Sequence, residues 1–162
     1  MNRHYDTAEY RRIVKNLRGA FENAAITTDI MVAFPGETEE EFESSLAFAK
    51  EIGFAKVHVF AYSRRPGTAA DSMSGQLTNR CKEERSRRMI DLTAESKAAF
   101  FRSQEGRTEK VLFERECGRN VWEGYTMNYT PVRVVSVRPL GGEVLPARLL
   151  RAEEDWCVGE LV

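Results

Sequence analysis

The sequence is poor in metal ligands. It holds three cysteines, Cys81, Cys117 and Cys157, and two histidines, His4 and His58. The cysteines lie far apart, with no CxxC or CxxxCxxC spacing, which excludes a local zinc or iron–sulfur ligand set. Each reads as an unpaired thiol packed as a small apolar group. Charge of one sign is also lacking: 24 basic residues face 25 acidic ones, so global charge does not announce a nucleic-acid partner. No apolar run approaches the length of a membrane span. The start MNRHYDTAEYRR is polar and has no signal-peptide core, so the expected compartment is the cytoplasm. A chain of 162 residues makes one domain or two small ones.

What is present centres on Ile26 to Phe42, ITTDIMVAFPGETEEEF. The apolar run Ile30 to Phe34 has the length of a strand buried on both faces, as in a parallel sheet. Pro35 and Gly36 break it, the first fixing φ and the second permitting positive φ. Thr38 with Glu41 three residues on is a capping box. Glu39, Glu40 and Glu41 complement the positive end of the helix dipole. The turn Phe34-Pro35-Gly36-Glu37 lies where α/β sheets bind ligands, at a strand's carboxyl end. Locally it reads either as a bare strand-to-helix turn or as a ligand loop.

Before this stretch, Asp6 caps a helix whose Tyr10, Ile13, Val14, Leu17 and Phe21 recur at helical spacing. After it comes a helix from Glu39 to Ile52, with Gly53 as its C′ residue. A second strand follows through Val57 to Tyr62. The helix–strand alternation predicts βαβ units and a parallel sheet. Two strands are too few to stand alone, and the opening helix lacks its strand, as in part of something larger. Ser63-Arg64-Arg65-Pro66-Gly67-Thr68 is a donor-rich loop, either a solvated turn or an anion contact. Thr78 caps a long helix to about Phe101, with Cys81, Met89, Leu92, Ser96 and Phe100 on its apolar face. Lys82, Arg85, Arg87, Arg88 and Arg102 form the opposite face, read as solvated and balanced by Glu83, Glu84 and Asp91.

From Thr108 the period falls to two. Strands are expected at Glu109–Glu114, Val121–Met127, Val132–Val137, Glu143–Leu150 and Asp155–Leu161. Five short strands with turn signals predict a small barrel, with a domain boundary near Ser103 to Arg107. In GYTMNYTPVRV, Tyr125 and Tyr129 either stack on unpaired bases or pack on the barrel. Asn128 and Arg133 stand beside them as RNA contacts.

MNRHY, ITTDIMVAFPGETEEEF, HVFAYSRRPGTAADSM, KEERSRRM and GYTMNYTPVRV, in this order, resemble the C-terminal half of radical S-adenosylmethionine methylthiotransferases. The likeness covers essentially the whole chain. It is strongest to the branch that modifies N6-threonylcarbamoyladenosine beside the tRNA anticodon. The fold implied is α/β: residues 1–102 as the C-terminal part of a radical SAM (β/α) barrel, and 103–162 as a small all-β, OB-like TRAM barrel that binds RNA. Met1 would then match an internal methionine of a longer protein.

The resemblance also implies cofactors and partners. The parent enzyme uses S-adenosylmethionine and two 4Fe–4S clusters to insert a methylthio group by radical chemistry. The cluster cysteines of that family are missing here, so no metal residue and no catalytic residue is expected in this chain. Nor is a cofactor expected to bind it stoichiometrically when it is alone. Val32, Ala33, Phe34, Pro35, Phe60 and Tyr62 are the implied cofactor wall, with Ala33 standing where the family commonly has glycine. Arg64 and Arg65 match an RNA-facing loop. Asp29 and Glu37 are read as structural. The expected partners are tRNA and the missing N-terminal part of the enzyme, with no membrane, and exposed half-barrel edges favour oligomers. The competing readings are a non-enzymatic RNA-binding module and a fragment inactive on its own.

Overall fold

The structure is a computed structural model that describes residues 4–162, so the first three residues of the MNRHY stretch lie outside it. In order, the elements are α1 (Thr7–Ala20), β1 (Thr27–Val32), α2 (Glu39–Ile52), β2 (Lys56–Ala61), α3 (Asn79–Ser103), β3 (Thr108–Gly118), β4 (Val121–Thr126), β5 (Pro131–Val135), β6 (Val144–Ala152) and β7 (Cys157–Leu161). They form two compact units. Among the described residues, one comprises 4–21 and 26–97, and the other 22–25 and 98–162. The division falls inside α3.

In the first unit, β1 and β2 pair in parallel, from Thr27 opposite Lys56 to Val32 opposite Ala61. Asp6 accepts the Glu9 amide and starts α1. Thr38 and Glu41 close the capping box of α2, and Gly53 ends that helix in the left-handed region. Thr78 accepts the Cys81 amide at the start of α3. Val14, Val32, Phe42, Ile52, Phe54 and Met89 form the core, with Ile30, Val57 and Val59 packed on it.

Three expectations change here. The strands are not buried on both faces: Met31 is 41% and Phe60 is 52% exposed, because the core residues of α1, α2 and α3 meet only the Ile30/Val32 side. Ile13 and Leu17 of α1 and Phe21 just past its end are exposed, and Val14 alone of the predicted stripe is fully buried. Arg85 is not on a solvated face. It is 5% exposed and pairs with Glu37 and Glu39, while Arg88 pairs with Glu39 and Glu43. The acidic start of α2, rather than Glu83, Glu84 and Asp91, balances these two guanidinium groups.

The second unit is a closed five-stranded barrel in the order β3-β4-β5-β7-β6, shut by antiparallel pairing of β3 with β6. β5 and β7 run parallel, and the other pairs are antiparallel. The expected strands appear within a few residues of their predicted bounds. Register shifts after Phe113 and Glu116 bend β3 round the barrel. Its interior is filled by Val111, Phe113, Val132, Val134, Leu140 and Leu149, with Phe101 of α3 against it. Gly124 and Gly159 are needed where they stand. A Cβ on Gly124 would lie 2.3 Å from the Leu112 carbonyl oxygen, and one on Gly159 would lie 2.8 Å from Val132.

Candidate functional site

The carboxyl ends of β1 and β2 open onto a cavity of about 580 Å3. Phe34, Phe60 and Tyr62 form its wall, together with Met31, Ser63 and Arg65. Phe34 and Tyr62 meet edge to face, with ring centres 5.3 Å apart. The Tyr62 amide extends the strand ladder by donating to the Val32 carbonyl at 2.9 Å. The Tyr62 hydroxyl is buried and has no hydrogen-bond partner among the described residues. The Lys82 ammonium lies 5.4 Å from the centre of its ring.

The other three residues of the expected wall do not line the cavity. Val32 belongs to the hydrophobic core, and Ala33 and Pro35 are buried. Ala33 has φ of 59°, a left-handed conformation that favours glycine. Its amide donates to Glu37 Oε2 at 2.8 Å. The same oxygen accepts Arg85 Nη1 at 2.6 Å, and that nitrogen also donates to the Glu37 carbonyl at 3.0 Å. Burial by itself lowers the Arg85 pKa, but its hydrogen bonds with Glu37 and Glu39 outweigh this and raise it. Gly36 donates its amide to the Gly75 carbonyl, which ties the turn to the loop before α3. Sequence reasoning gave Glu37 a structural role but missed Arg85, since no short-range signal links residues so far apart.

The two loop arginines differ. Arg64 is held inside its own loop by Asp71, at 2.9 Å to the carboxylate and 2.8 Å to the carbonyl. Arg65 borders the cavity, and its side chain makes no hydrogen bond or ion pair among the described residues. Asp29 is exposed on the uncovered sheet face, opposite His58 in register.

A second cleft, of about 350 Å3, lies on the barrel between Lys110, Leu112, Tyr125, Met127, Tyr129 and Val144. The Tyr125 and Tyr129 rings are 6.5 Å apart. Met127 and Tyr129 are 87% and 83% exposed, on a turn where Tyr129 takes φ of 61°. Asn128 between them faces inward. Its Oδ1 accepts from Thr126 and Thr130, and its Nδ2 donates to the Asn23 carbonyl and to Gln104. Arg133 is likewise committed. It pairs with Glu123 and lies over Trp156 at 3.7 Å. Of the four barrel residues singled out for RNA, the structure brings Tyr125 and Tyr129 together at an open cleft, and engages Asn128 and Arg133 internally.

The thiols do not fit an iron–sulfur cluster. Among the described residues no three Cys, His, Asp or Glu side chains are grouped closely enough to hold a metal ion. Cys117 is exposed and Cys157 is buried. Burial, and then the nearby Glu105 charge, push the Cys157 thiol up to about 11. Among the described residues no helix is long and apolar enough to cross a membrane.

No family model matches the chain. Curated relatives do. It is 37% identical over 164 aligned positions to a tRNA-2-methylthio-N(6)-dimethylallyladenosine synthase of Geobacillus kaustophilus, a match covering 100% of this chain and 31% of the relative. Synthases of the same name from Caldicellulosiruptor saccharolyticus and Clostridium perfringens are 34% and 33% identical, again over 100% of this chain and over 35% and 37% of theirs. The chain thus spans about a third of the length of the curated relatives it matches. In both of its compact units it is similar to a section of these methylthio-adenosine synthases.

Proposed function

We propose that this chain is one section of a radical SAM tRNA methylthiotransferase, in which the first unit walls an S-adenosylmethionine cleft and the barrel, a TRAM-type domain, holds the tRNA. The observation that carries this reading is similarity to such synthases through the full chain, 33–37% identical across both units. The first unit serves as part of a larger (β/α) barrel. Its uncovered sheet face and its two-stranded sheet favour completion by further strands of the same enzyme. The cavity at the strand ends suits a nucleoside, with aromatic walls for a base and Ser63 and Arg65 at the rim for polar groups. Bound there, S-adenosylmethionine supplies the radical and methyl chemistry. The residues of this chain bind it, orient it and keep water from its apolar face. The 4Fe–4S clusters belong to other sections of the enzyme, since the thiols here do not converge. The work of the enzyme on tRNA sets it in the cytoplasm.

The resemblance pointed to threonylcarbamoyladenosine as the modified base. The relatives are named for dimethylallyladenosine, and we take that as the substrate. The exposed Met127–Tyr129 turn also favours a second reading, an RNA-binding module without enzymatic activity.

A chimera separates these readings. The matching third of the Geobacillus kaustophilus synthase is replaced by this chain and expressed in cells lacking the modification, and tRNA nucleosides are read by mass spectrometry. The enzymatic reading expects 2-methylthio-N6-dimethylallyladenosine. A soluble chimera that binds tRNA but leaves its adenosines without the methylthio group supports the RNA-binding module instead.

A further inference from the structure

Arg85 has no role in the readings above, yet it is the most deeply buried cation among the described residues of the first unit. It sits on α3, packs over the Phe42 ring at 5.1 Å, and directs its guanidinium at the turn that ends β1. One of its nitrogens contacts both the carbonyl and the carboxylate of Glu37, and the other reaches Glu39 at 3.0 Å. The Glu37 carboxylate in turn receives the Ala33 amide. A bonded relay therefore runs from α3 through Glu37 to Ala33, a residue in a conformation that alanine adopts only under strain. The next residue along the chain is Phe34, whose ring forms part of the cavity wall against Tyr62.

Sequence alone would let this turn relax. Ala33 at positive φ is unfavourable, while Gly36, at φ of 83°, is tied by its amide to the Gly75 carbonyl. A charged, buried anchor adds to that tie and opposes the strain at Ala33. A guanidinium fork suits this task because it satisfies a carbonyl and two carboxylates in fixed directions, which an ammonium cannot do.

We infer that Arg85 is a positioning residue for the cavity: acting through Glu37, it holds the Ala33–Glu37 turn so that Phe34 stands in the wall and receives the base of a nucleoside ligand. Only the identity of that ligand rests on the proposed function. The relay itself does not.

The test uses the 15N-labelled chain with Arg85→Met and Arg85→Lys variants, and S-adenosylhomocysteine as an unreactive probe. Two quantities are followed by NMR: hydrogen exchange of the Ala33 amide, and the dissociation constant reported by Phe34 and Tyr62. In R85M, exchange at Ala33 accelerates and affinity weakens, each by about tenfold or more, the scale of one lost charged hydrogen bond. Amides of the barrel, such as Val132, keep their protection. R85K restores part of both effects, since it keeps the charge and loses the fork. Should R85M fail to fold, R85K carries the comparison with the same two readouts. A folded variant with unchanged Ala33 exchange and unchanged affinity overturns the inference. Ala33 exchange that responds to the substitution, in an isolated chain that does not bind the probe, upholds the relay, and the affinity comparison is then made with the same substitutions in the chimera, where unchanged affinity overturns the positioning role.

Discussion

The side-chain amide of Asn128, on the β4–β5 turn, donates to the backbone carbonyl of Asn23 at 3.0 Å across 105 residues of sequence. Its oxygen at the same time accepts from Thr126 and from the amide and hydroxyl of Thr130. The short segment Glu22–Ala25 therefore belongs to the barrel's unit rather than to that of its sequence neighbours. Asn128→Ala would leave several partly buried groups without partners. Each such group costs about 1–3 kcal/mol, so the expected loss is about 2–4 kcal/mol of barrel stability, read by urea denaturation. A change below about 0.5 kcal/mol would show that water replaces the asparagine at no cost.

Gly124→Ala tests the packing of β4 on β3. The added methyl would stand 2.3 Å from the Leu112 carbonyl oxygen and 2.8 Å from the Phe113 Cα, both rigid backbone of the paired strand. Neither atom can rotate away. Overpacking of this kind costs about 1–3 kcal/mol or more. The expected fall in melting temperature is on the order of 10 °C for so small a domain. Gly118→Ala, whose Cβ would meet only Val121 side-chain atoms at 3.7 Å, serves as the tolerated control.

These two cases mark where the sequence was legible. Local signals found what they govern. Thr38 and Glu41 announced the start of α2, Gly53 announced its end, and the period-two runs after Thr108 announced the barrel strands. What failed depended on distant partners. Arg85 was assigned to a solvated face because helical spacing places it among other cations, and nothing nearby says that Glu37 and Glu39 lie against it. Asn128 sits between two exposed side chains, and only the closed barrel turns its amide inward. The wall of the cavity was half legible for a related reason. Phe34, Phe60 and Tyr62 were named through the family resemblance and do line the cavity, but alternation alone does not say that Ala33 turns left-handed and is buried away from it.

Glu123 gives the barrel an acid-sensitive tie. Its carboxylate accepts Arg115 at 2.6 Å and Arg133 at 2.7 Å, and it is buried. Hydrogen bonds from Arg115, and then from Arg133, hold its pKa below the usual carboxylate value of 4.5 despite the opposing effect of burial. In the folded state it binds fewer protons than in the unfolded one, so its contribution to stability is present above the ordinary carboxylate pKa. The contribution is lost as pH falls through the lowered folded value. Thermal melts from pH 7 down to pH 3 should therefore show a falling melting temperature at the acid end. In Glu123→Gln that fall should be shallower, and the melting temperature at pH 7 should be lower. Parallel acid limbs in the two proteins would assign the acid sensitivity to other carboxylates.

Tyr129 links the barrel's geometry to its proposed work. Its ring is 83% exposed, so the fold gains little from it, while its φ of 61° costs strain that glycine would relieve. In the proposed RNA-binding role, this ring offers an exposed face on which an unpaired base can stack. Tyr129→Gly should leave the melting temperature unchanged or slightly raised. It should weaken binding of an anticodon stem-loop RNA by about tenfold or more, since a base stacked on an aromatic ring contributes about 1–3 kcal/mol. The loss should persist at high salt, because stacking releases no counterions. Arg65→Ala should instead lower the slope of affinity against salt by about one phosphate contact. Filter binding across a salt series with both variants separates the two. A Tyr129→Gly protein that binds RNA as tightly as the parent chain would remove the cleft beside Tyr125 from the RNA path.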